Sequence, residues 1–289
     1  MTILANEKSR VIVQGITGRT GSVQTRLMRD YGTRIVAGVA PGKEGQTVEG
    51  IPVYDTVENA LQRHPADASV IFVPAPSAMN AALQAVEGAI RLIVIVTERI
   101  PIHDVLKIRS YAQKAGAIVV GPNTPGIISP DKVKIGIMPG DLFKSGNVGV
   151  VTRSATLGYE IAGNLTEAGI GQSTCVGIGG DRVTGVTFVD VLKLFQEDDE
   201  THAVVIVGEV GRTVEEEAAE YVRSGRFKKP VAAFIAGRSV PSEKRMGHAG
   251  AIIESGRGTA ASKVRALQEA GIPVAEKPSE ITGVLKQIL

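Results

Sequence analysis

The chain has a single cysteine and almost no net charge. Cys175 cannot form a disulfide within the chain, and we expect it to be a buried side chain because it lies in the strand-like run 173–178. A reducing compartment, the cytoplasm, is therefore the expected location. The 32 basic and 30 acidic residues leave a formal charge of +2, so composition gives no electrostatic reason for a nucleic-acid surface.

Long hydrophobic runs are missing as well. The longest ones, such as 92–96 and 204–207, fall far short of the roughly 20 residues that a membrane-spanning helix needs. The N-terminus also lacks the apolar stretch of a signal peptide, so we expect no membrane association. A length of 289 residues with 43% hydrophobic content is enough for two domains, each with its own core.

Short apolar runs alternate with helical segments, which is typical of parallel strands covered by helices on both faces. The runs predict one set of strands at 10–14, 34–39, 69–73, 92–97 and 117–120, and a second set at 148–152, 174–178, 203–207, 231–235 and 273–275. Residues 121–147 contain four prolines and many glycines, so we expect the connection between two domains there. The predicted fold is α/β, with domains at 1–122 and 123–289.

The first predicted strand runs into a glycine-rich turn, Gly15–Gly21, and a helix with Val23 and Leu27 on one face. Backbone amides of such a turn can approach a phosphate group at the helix N-terminus, although the segment could also be a plain tight turn. An NAD site would normally place Asp or Glu after the second strand, but Pro41-Gly42-Lys43 follows it here. Lys43 suits a phosphorylated nucleotide, and coenzyme A, with its 3′-phosphate and pyrophosphate, fits better than NAD.

His248 lies between glycines and alanines in the run 245–252, with no acid, cysteine or second histidine nearby. Metal ligands would converge from several donors, and a core histidine would have larger apolar neighbours. A neutral imidazole near pH 7 is a competent nucleophile. His248 is thus a candidate phosphoryl or acyl acceptor on a glycine-hinged loop, although a loop histidine can also have a purely structural role.

Two other strand ends of the second set carry candidate site residues. Ser154 is a plausible N-cap, and the helix that it opens could stabilise a phosphate on an imidazole, or could be an ordinary capped helix. Glu209, expected outside helix and strand, could hydrogen-bond a histidine and fix its tautomer. The pair Thr213 and Glu216 predicts a capping box, and Glu215–Glu217 are expected to form a solvated first helical turn.

Seven motifs occur in order along the chain: Gly15-x-Thr17-Gly18-x-x-Gly21, Pro41-Gly42-Lys43, Val73-Pro74-Ala75-Pro76, Gly121-Pro122-Asn123, Cys175–Asp181, Gly208-Glu209 and Arg245–Ile253. With them, the chain resembles the α subunit of succinyl-CoA synthetase, also called succinate–CoA ligase, over essentially its whole length. The resemblance implies a Rossmann-like CoA-binding domain followed by a flavodoxin-like ligase domain that carries a phosphohistidine loop.

The resemblance also implies roles for particular residues. His248 would be phosphorylated, Glu209 would hydrogen-bond it, and the amides of Ser154, Ala155 and Thr156 would hold its phosphate. The implied CoA contacts are Thr17, Gly18, Arg19, Thr20, Lys43, Pro74, Val96, Thr97 and Glu98, and the implied substrate contacts are Asn123 and Tyr159. No metal site is implied in this chain.

The implied enzyme belongs to the tricarboxylic acid cycle and needs a partner, a β subunit with an ATP-grasp fold. That subunit would bind ATP or GTP with Mg²⁺ and phosphorylate His248, after which succinyl phosphate forms and CoA attacks it. The sequence agrees with this division of labour, because it contains no G-x-x-x-x-G-K-[ST] loop and no carboxylate cluster for Mg²⁺.

Some positions depart from the family pattern. Ala155 replaces a usual glycine, which is harmless if the backbone there is helical. Arg99, Arg182 and Arg212 stand where Gly, Pro and Gly are expected, and these guanidinium groups could alter recognition of a carboxylate substrate or could form surface ion pairs. Malate or another short dicarboxylate therefore stays open as the acid. Two further functions also stay open, an NAD(P)-dependent oxidoreductase and a non-catalytic CoA-binding module.

Overall fold

The computed structural model describes residues 2–238 and 258–289. The chain divides into two compact units. The N-terminal unit comprises Leu4–Met138 with Val183–Gly185, and the C-terminal unit comprises Pro139–Arg182 and Val186–Leu289 with Met1–Ile3. None of the helices in the described ranges is long and apolar enough to cross a lipid bilayer.

The N-terminal unit is built around a mostly parallel sheet with the strand order β3-β4-β2-β1-β5-β6-β7. Its elements are β1 (Arg10–Gln14), α1 (Arg19–Asp30), β2 (Arg34–Val39), β3 (Thr47–Val48), β4 (Ile51–Tyr54), α2 (Val57–Arg63), β5 (Ala68–Ile71), α3 (Ala75–Glu87), β6 (Leu92–Ile95), α4 (Ile102–Ala115), β7 (Ile118–Val120), β8 (Gly126–Ser129) and β9 (Val133–Gly136). Only β3 pairs antiparallel with its neighbour in this sheet. The strand order reverses at β1, where open α/β sheets bind their ligands.

Burial on both faces explains why these strands are visible as apolar runs. Every residue of β5 and β6 is buried, and Ile12, Ile71 and Ile93 lie in one continuous core. The face that α3 turns to this core consists largely of alanines, which allow the helix to pack close to the sheet. The Rossmann-like prediction for this unit is therefore confirmed.

Five parallel strands of the C-terminal unit follow the order β14-β13-β12-β10-β11. The elements are β10 (Ser145–Thr152), α5 (Ala155–Glu167), β11 (Gln172–Gly177), α6 (Phe188–Gln196), β12 (Ala203–Glu209), α7 (Val214–Arg223), β13 (Val231–Ala236), α8 (Ala260–Glu269), β14 (Val274–Ala275) and α9 (Ile281–Lys286), with short 3₁₀ turns at Gly140–Leu142 and Pro278–Glu280. Numbered along the chain, this is the 2-1-3-4-5 order of flavodoxin-like folds, and its switch point lies at β10. The flavodoxin-like prediction is confirmed.

The segment 121–147, expected to connect the two domains, contains the change of unit between Met138 and Pro139, and it also carries regular structure that the sequence did not indicate. β8 and β9 form an antiparallel hairpin whose residues are all buried. The hairpin packs on the end of α1, where Thr33 Oγ1 donates to the Lys134 carbonyl at 2.7 Å and the Gly136 amide lies 3.3 Å from Met28 Sδ. By these contacts the hairpin groups with the N-terminal unit, which runs to Met138. The domain boundary after Pro122 stays a prediction.

Candidate functional sites

The glycine-rich turn after β1 is shaped by two close backbone approaches. Gly15 has a φ of +81°, and a Cβ atom there would lie 3.0 Å from the Val73 amide nitrogen. A Cβ on Gly21 would lie 2.1 Å from the Gly15 carbonyl oxygen, so only glycine lets α1 start this close to the turn. The N-terminus of α1 consequently faces the end of the sheet, as the phosphate-binding interpretation requires.

A cleft of about 370 Å³ opens beside this turn. Four predicted CoA contacts line it, namely Thr17, Gly18, Lys43 and Pro74, together with Gln14, Gly15, Val39, Ala40, Pro41, Phe72, Val73, Ser77, Asn80, Ala81 and Gln84. The other five predicted contacts lie elsewhere in the same unit: Arg19 and Thr20 begin α1, and Val96, Thr97 and Glu98 follow β6. Thr97 Oγ1 donates to the Val73 carbonyl at 2.6 Å, which ties this segment to the cleft wall.

Sequence reasoning missed how Lys43 is held. The carboxylate of Asp55 accepts hydrogen bonds from the backbone amides of Lys43 at 3.0 Å and Glu44 at 3.1 Å. The turn that carries Lys43 is thereby fixed at the rim of the cleft.

Sequence reasoning also missed two polar side chains of α3 that line the cleft, Asn80 and Gln84. Their spacing of four residues on one helix was the only available signal.

In the C-terminal unit, the ends of β10 and β12 lie side by side, since Thr152 is paired with Val207. The Ser154 hydroxyl caps α5 by accepting from the Leu157 amide at 3.5 Å, so the predicted N-cap is confirmed. Ala155 is the first residue of α5 and has no left-handed backbone, so its Cβ causes no strain. The Ser154 amide donates to Thr152 Oγ1 at 3.1 Å, so the amides of Ala155 and Thr156 are the ones at this helix start that favour an anion.

Glu209 is the last residue of β12, so the expectation that it lies outside helix and strand is wrong. Arg153, whose side chain has no exposed surface, holds it from two sides. The Arg153 Nη2 atom lies 3.4 Å from Glu209 Oε1, and Nη1 donates to the Glu209 carbonyl at 3.2 Å. A carboxylate of fixed orientation therefore stands next to the N-terminus of α5.

Glu215 is fully buried, so the expectation of a solvated first turn is wrong for this residue. Its Oε1 atom accepts from Arg153 Nη1 at 3.0 Å and from the Glu209 amide at 3.1 Å, and its Oε2 atom accepts from Lys263 Nζ. Burial by itself would raise the pKa of Glu215, but the charges of Arg153 and Lys263 hold it below its ordinary value. We call Arg153, Glu215 and Lys263 the buried ion cluster.

The start of α7 also differs from its prediction. Thr213 is the N-cap, but its side chain makes no capping bond and instead donates to Glu217 Oε1 at 2.9 Å. The predicted capping box with Glu216 is therefore wrong. Glu216 faces α8, where its Oε1 atom accepts from the Ser262 hydroxyl at 3.0 Å.

The two predicted substrate contacts lie in different units. In the N-terminal unit, the Asn123 amide donates to the Thr97 carbonyl at 2.9 Å. In the C-terminal unit, the Tyr159 hydroxyl is buried and has no hydrogen-bond partner within the described ranges. Burial, with a smaller contribution from Cys175, raises the pKa of Tyr159. Cys175 is buried, as expected. This burial raises the pKa of the Cys175 thiol.

Two of the unusual arginines adopt left-handed backbones, with φ of +62° at Arg99 and +60° at Arg212, which explains why glycine suits these positions. Arg99 is exposed and lies 3.5 Å from Glu98, so it forms the kind of surface ion pair that the sequence left open. Arg212 is largely buried and donates to the Asp181 carbonyl at 3.0 Å. Burial, followed by the nearby charge of Arg153, lowers the pKa of Arg212 to about 10.

His248 lies outside the described residues, as does the whole motif 245–253. Within the described residues, no group of three or more His, Cys, Asp or Glu side chains is placed to hold a metal ion.

Comparison with known families gives each unit a class. The family model of the CoA binding domain matches residues 6–99, and that of the CoA-ligase family matches residues 151–272. The glycine-rich cleft lies in the first match, and Ser154, Glu209 and the buried ion cluster lie in the second. The fold and these matches define a two-domain, CoA-binding subunit of the CoA-ligase class.

Whole-length relatives narrow this class to one family. The chain is 55% identical over 289 residues to succinate–CoA ligase (ADP-forming) subunit alpha 2 of Archaeoglobus fulgidus, covering 100% of both chains. It is 55% identical over 284 residues to the alpha subunit of the same ligase of Methanothermobacter thermautotrophicus, covering 98% of this chain and 96% of that one. The chain belongs to the family of succinate–CoA ligase α subunits.

A solved structure shows the same fold in a larger protein. ATP citrate lyase of Methanothrix soehngenii, in complex with citrate and coenzyme A, superposes with a TM-score of 0.90 at 24% identity. The match covers 99% of this chain and 50% of the lyase chain. At this identity the likeness describes the fold alone.

Proposed function

We propose that this chain is the α subunit of a nucleotide-dependent succinate–CoA ligase, which interconverts succinate plus CoA with succinyl-CoA. The observation that carries the proposal is the carboxylate of Glu209, fixed by Arg153 beside the N-terminus of α5. A hydrogen-bond acceptor for an imidazole and a cradle for its phosphate thus stand next to each other. The whole-length relatives named as ADP-forming favour ATP as the nucleotide.

Phosphoryl transfer through His248 is the first half of the proposed reaction. Its imidazole takes the terminal phosphate of the nucleotide while Glu209 accepts a hydrogen bond from the other ring nitrogen and fixes the tautomer. The backbone amides of Ala155 and Thr156, with the positive end of the α5 dipole, stabilise the phosphate on the imidazole, and the Ser154 amide joins them only by leaving its bond to Thr152 Oγ1. Charge accumulates there during transfer, and donors that are already in place need no reorganisation.

Acyl transfer to CoA is the second half. A carboxylate oxygen of succinate takes the phosphate from His248, which gives succinyl phosphate and a free imidazole. The CoA thiolate then attacks the carbonyl carbon, the C–O bond to phosphate breaks, and inorganic phosphate leaves with that electron pair. Asn123 and Tyr159 are the residues that we assign to the acid.

The cleft of the N-terminal unit is the proposed CoA site. Thr17 and Gly18 present the turn amides to the phosphate groups, and Lys43 adds a positive charge at the rim. Pro74 forms part of the wall. Arg19, Thr20, Val96, Thr97 and Glu98 complete the proposed set where the ligand extends beyond the cleft.

The complete enzyme requires a partner in this proposal. A β subunit with an ATP-grasp fold supplies the nucleotide and Mg²⁺ sites, and the complex works in the cytoplasm, in keeping with the single cysteine. Malate or another short dicarboxylate has no observation in its favour, since Arg212 donates to the Asp181 carbonyl and a guanidinium would bind either dicarboxylate.

Peptide mass spectrometry of the chain assembled with its β subunit, Mg²⁺ and ATP or GTP tests the proposal. We expect an acid-labile phosphate on His248 that is discharged when succinate and CoA are added. Discharge by malate alone would keep the mechanism and change the substrate. If CoA binds to an assembled complex that never acquires phosphate, the chain is a non-catalytic CoA-binding module instead.

A further inference from the structure

We propose that the buried ion cluster is a positioning device that holds Glu209 and the base of the segment carrying His248 in one rigid frame. Arg153 is its central residue. The inference deepens the proposed function and rests on it, since the roles of Glu209 and His248 come from there. Three sets of contacts carry it.

The first contacts fix Glu209. Arg153 binds both its backbone carbonyl and its carboxylate, so neither the peptide nor the side chain can rotate independently. The Glu215 carboxylate also fixes the Glu209 backbone, because its Oε1 atom accepts a hydrogen bond from the Glu209 backbone amide at 3.1 Å. All three contacts form inside the protein, where they are little screened by water.

The second contacts fix the chain immediately after the segment 239–257. Gly258 is the first described residue beyond it, and its carbonyl accepts from the Gly211 amide at 2.7 Å. The Gly211 carbonyl in turn accepts from Arg153 Nη1 and from Lys263 Nζ, both at 2.7 Å. One guanidinium therefore reaches Glu209 and, through one residue, the base of the segment that contains His248.

The position of Gly258 shows how little freedom this junction has. Its φ is +75°, and a Cβ atom there would lie 2.5 Å from the Arg212 carbonyl oxygen. A glycine is needed at this point for the backbone to approach the loop after β12.

The third set is the charge balance. Arg153 and Lys263 carry two positive charges against the carboxylates of Glu209 and Glu215, with Glu216 3.9 Å from Lys263 Nζ and the Arg212 charge close by. Inside a protein, removing one partner leaves another charge buried and unpaired, which is strongly unfavourable. A shift of any member would move Glu209.

A double-mutant cycle on the complex assembled with its β subunit tests the inference. The variants are Arg153→Lys, which keeps the charge but loses the planar fork, Glu209→Gln, and both together. The measured quantity is the single-turnover rate at which the phosphoryl group is transferred from His248 to ADP in the presence of Mg²⁺. We expect Arg153→Lys to slow this rate about tenfold when Glu209 is present and about threefold or less in the Glu209→Gln background, where only the contact with the base of the segment remains to be lost.

Equal slowing in both backgrounds would overturn the inference, because a general structural loss acts whether or not Glu209 is there. CoA affinity, measured by calorimetry, should stay unchanged in all variants. Arg223→Lys is the matched control, since this exposed arginine forms its ion pair with Glu220 on the surface of α7, and we expect it to change nothing. If Arg153→Lys does not fold, Lys263→Gln enters the same cycle with the same expectation.

The same experiment separates this inference from the proposed function. A wild-type complex that never forms phosphohistidine contradicts the function, and the inference with it. A wild-type complex that does form it, with additive effects of the two substitutions, contradicts the inference alone.

Discussion

At the scale of single residues, the burial and ion pairing of an acidic side chain depend on partners that are far away in the sequence. Glu209 and Glu215 are close in sequence, yet one ends a strand beside a helix N-terminus and the other is fully buried. Glu215 is buried because Arg153 and Lys263, 62 and 48 residues away, meet it in the core. Local pattern favoured the dipole explanation for Glu215, and no local signal could have shown these partners.

The proposed role of Lys43 in CoA binding can be tested with a single substitution. Its side chain lines the cleft, and Asp55 fixes the turn on which it lies. Lys43→Ala should weaken CoA binding about tenfold or more, because a hydrogen bond to a charged group contributes roughly 1.5–3 kcal/mol. Calorimetric titration with CoA measures this.

Lys107→Ala is the control, an exposed lysine on α4 of the same unit, and it should leave CoA affinity unchanged. The phosphate content of His248 should stay normal in both variants. A loss of phosphorylation in Lys43→Ala with intact CoA binding would show that the cleft has been misassigned.

Among helices and strands, burial decides which parts of the fold the sequence reveals. The parallel strands are buried on both faces, so each is a short apolar run that stands out against the helices. The hairpin of β8 and β9 was missed because prolines and glycines surround it. Its burial follows from packing against α1, which the sequence does not display.

Two glycines of α5 should respond in opposite directions to alanine. Gly163 has open space around it, so Gly163→Ala should raise the free energy of unfolding by about 0.5–1 kcal/mol through helix propensity. At Gly158 a Cβ atom would lie 2.8 Å from Thr152 Cγ2, so Gly158→Ala should lower it by about 1–3 kcal/mol. Urea denaturation of both variants checks the pair.

The Gly158→Ala variant also reaches the candidate site. Thr152 Oγ1 donates to the Ser154 carbonyl at 2.7 Å and accepts from the Ser154 amide at 3.1 Å, so displacing Thr152 disturbs the cap of α5. We expect less phosphohistidine in Gly158→Ala than in Gly163→Ala. Equal stability changes in the two variants would contradict the packing argument.

Across the chain as a whole, the two candidate sites lie in separate compact units. The cleft with Lys43 is in the N-terminal unit, and the strand ends with Glu209 are in the C-terminal unit. A substitution in one unit should therefore leave equilibrium binding in the other nearly intact.

His248→Asn tests this separation. It should abolish succinyl-CoA formation, because asparagine cannot carry the phosphate, while CoA affinity remains within about twofold of the wild type. Steady-state assays of the assembled complex and calorimetry with CoA measure the two quantities. Net ligation by this variant would refute the phosphohistidine mechanism.

Local pattern was enough to predict the α/β class, the strands other than β3, β4, β8 and β9, the turn at Gly15–Gly21, and the candidates His248, Lys43 and Ser154. These features depend on strand-length apolar runs and on residues next to each other in the chain. The folded structure was needed to show that Arg153 grips Glu209, that Glu215 and Lys263 are buried, and that Asp55 holds the Lys43 turn. Each of these contacts joins strand ends, helices or turns that are separated in sequence, so folding had to bring them together before their chemistry could be recognised.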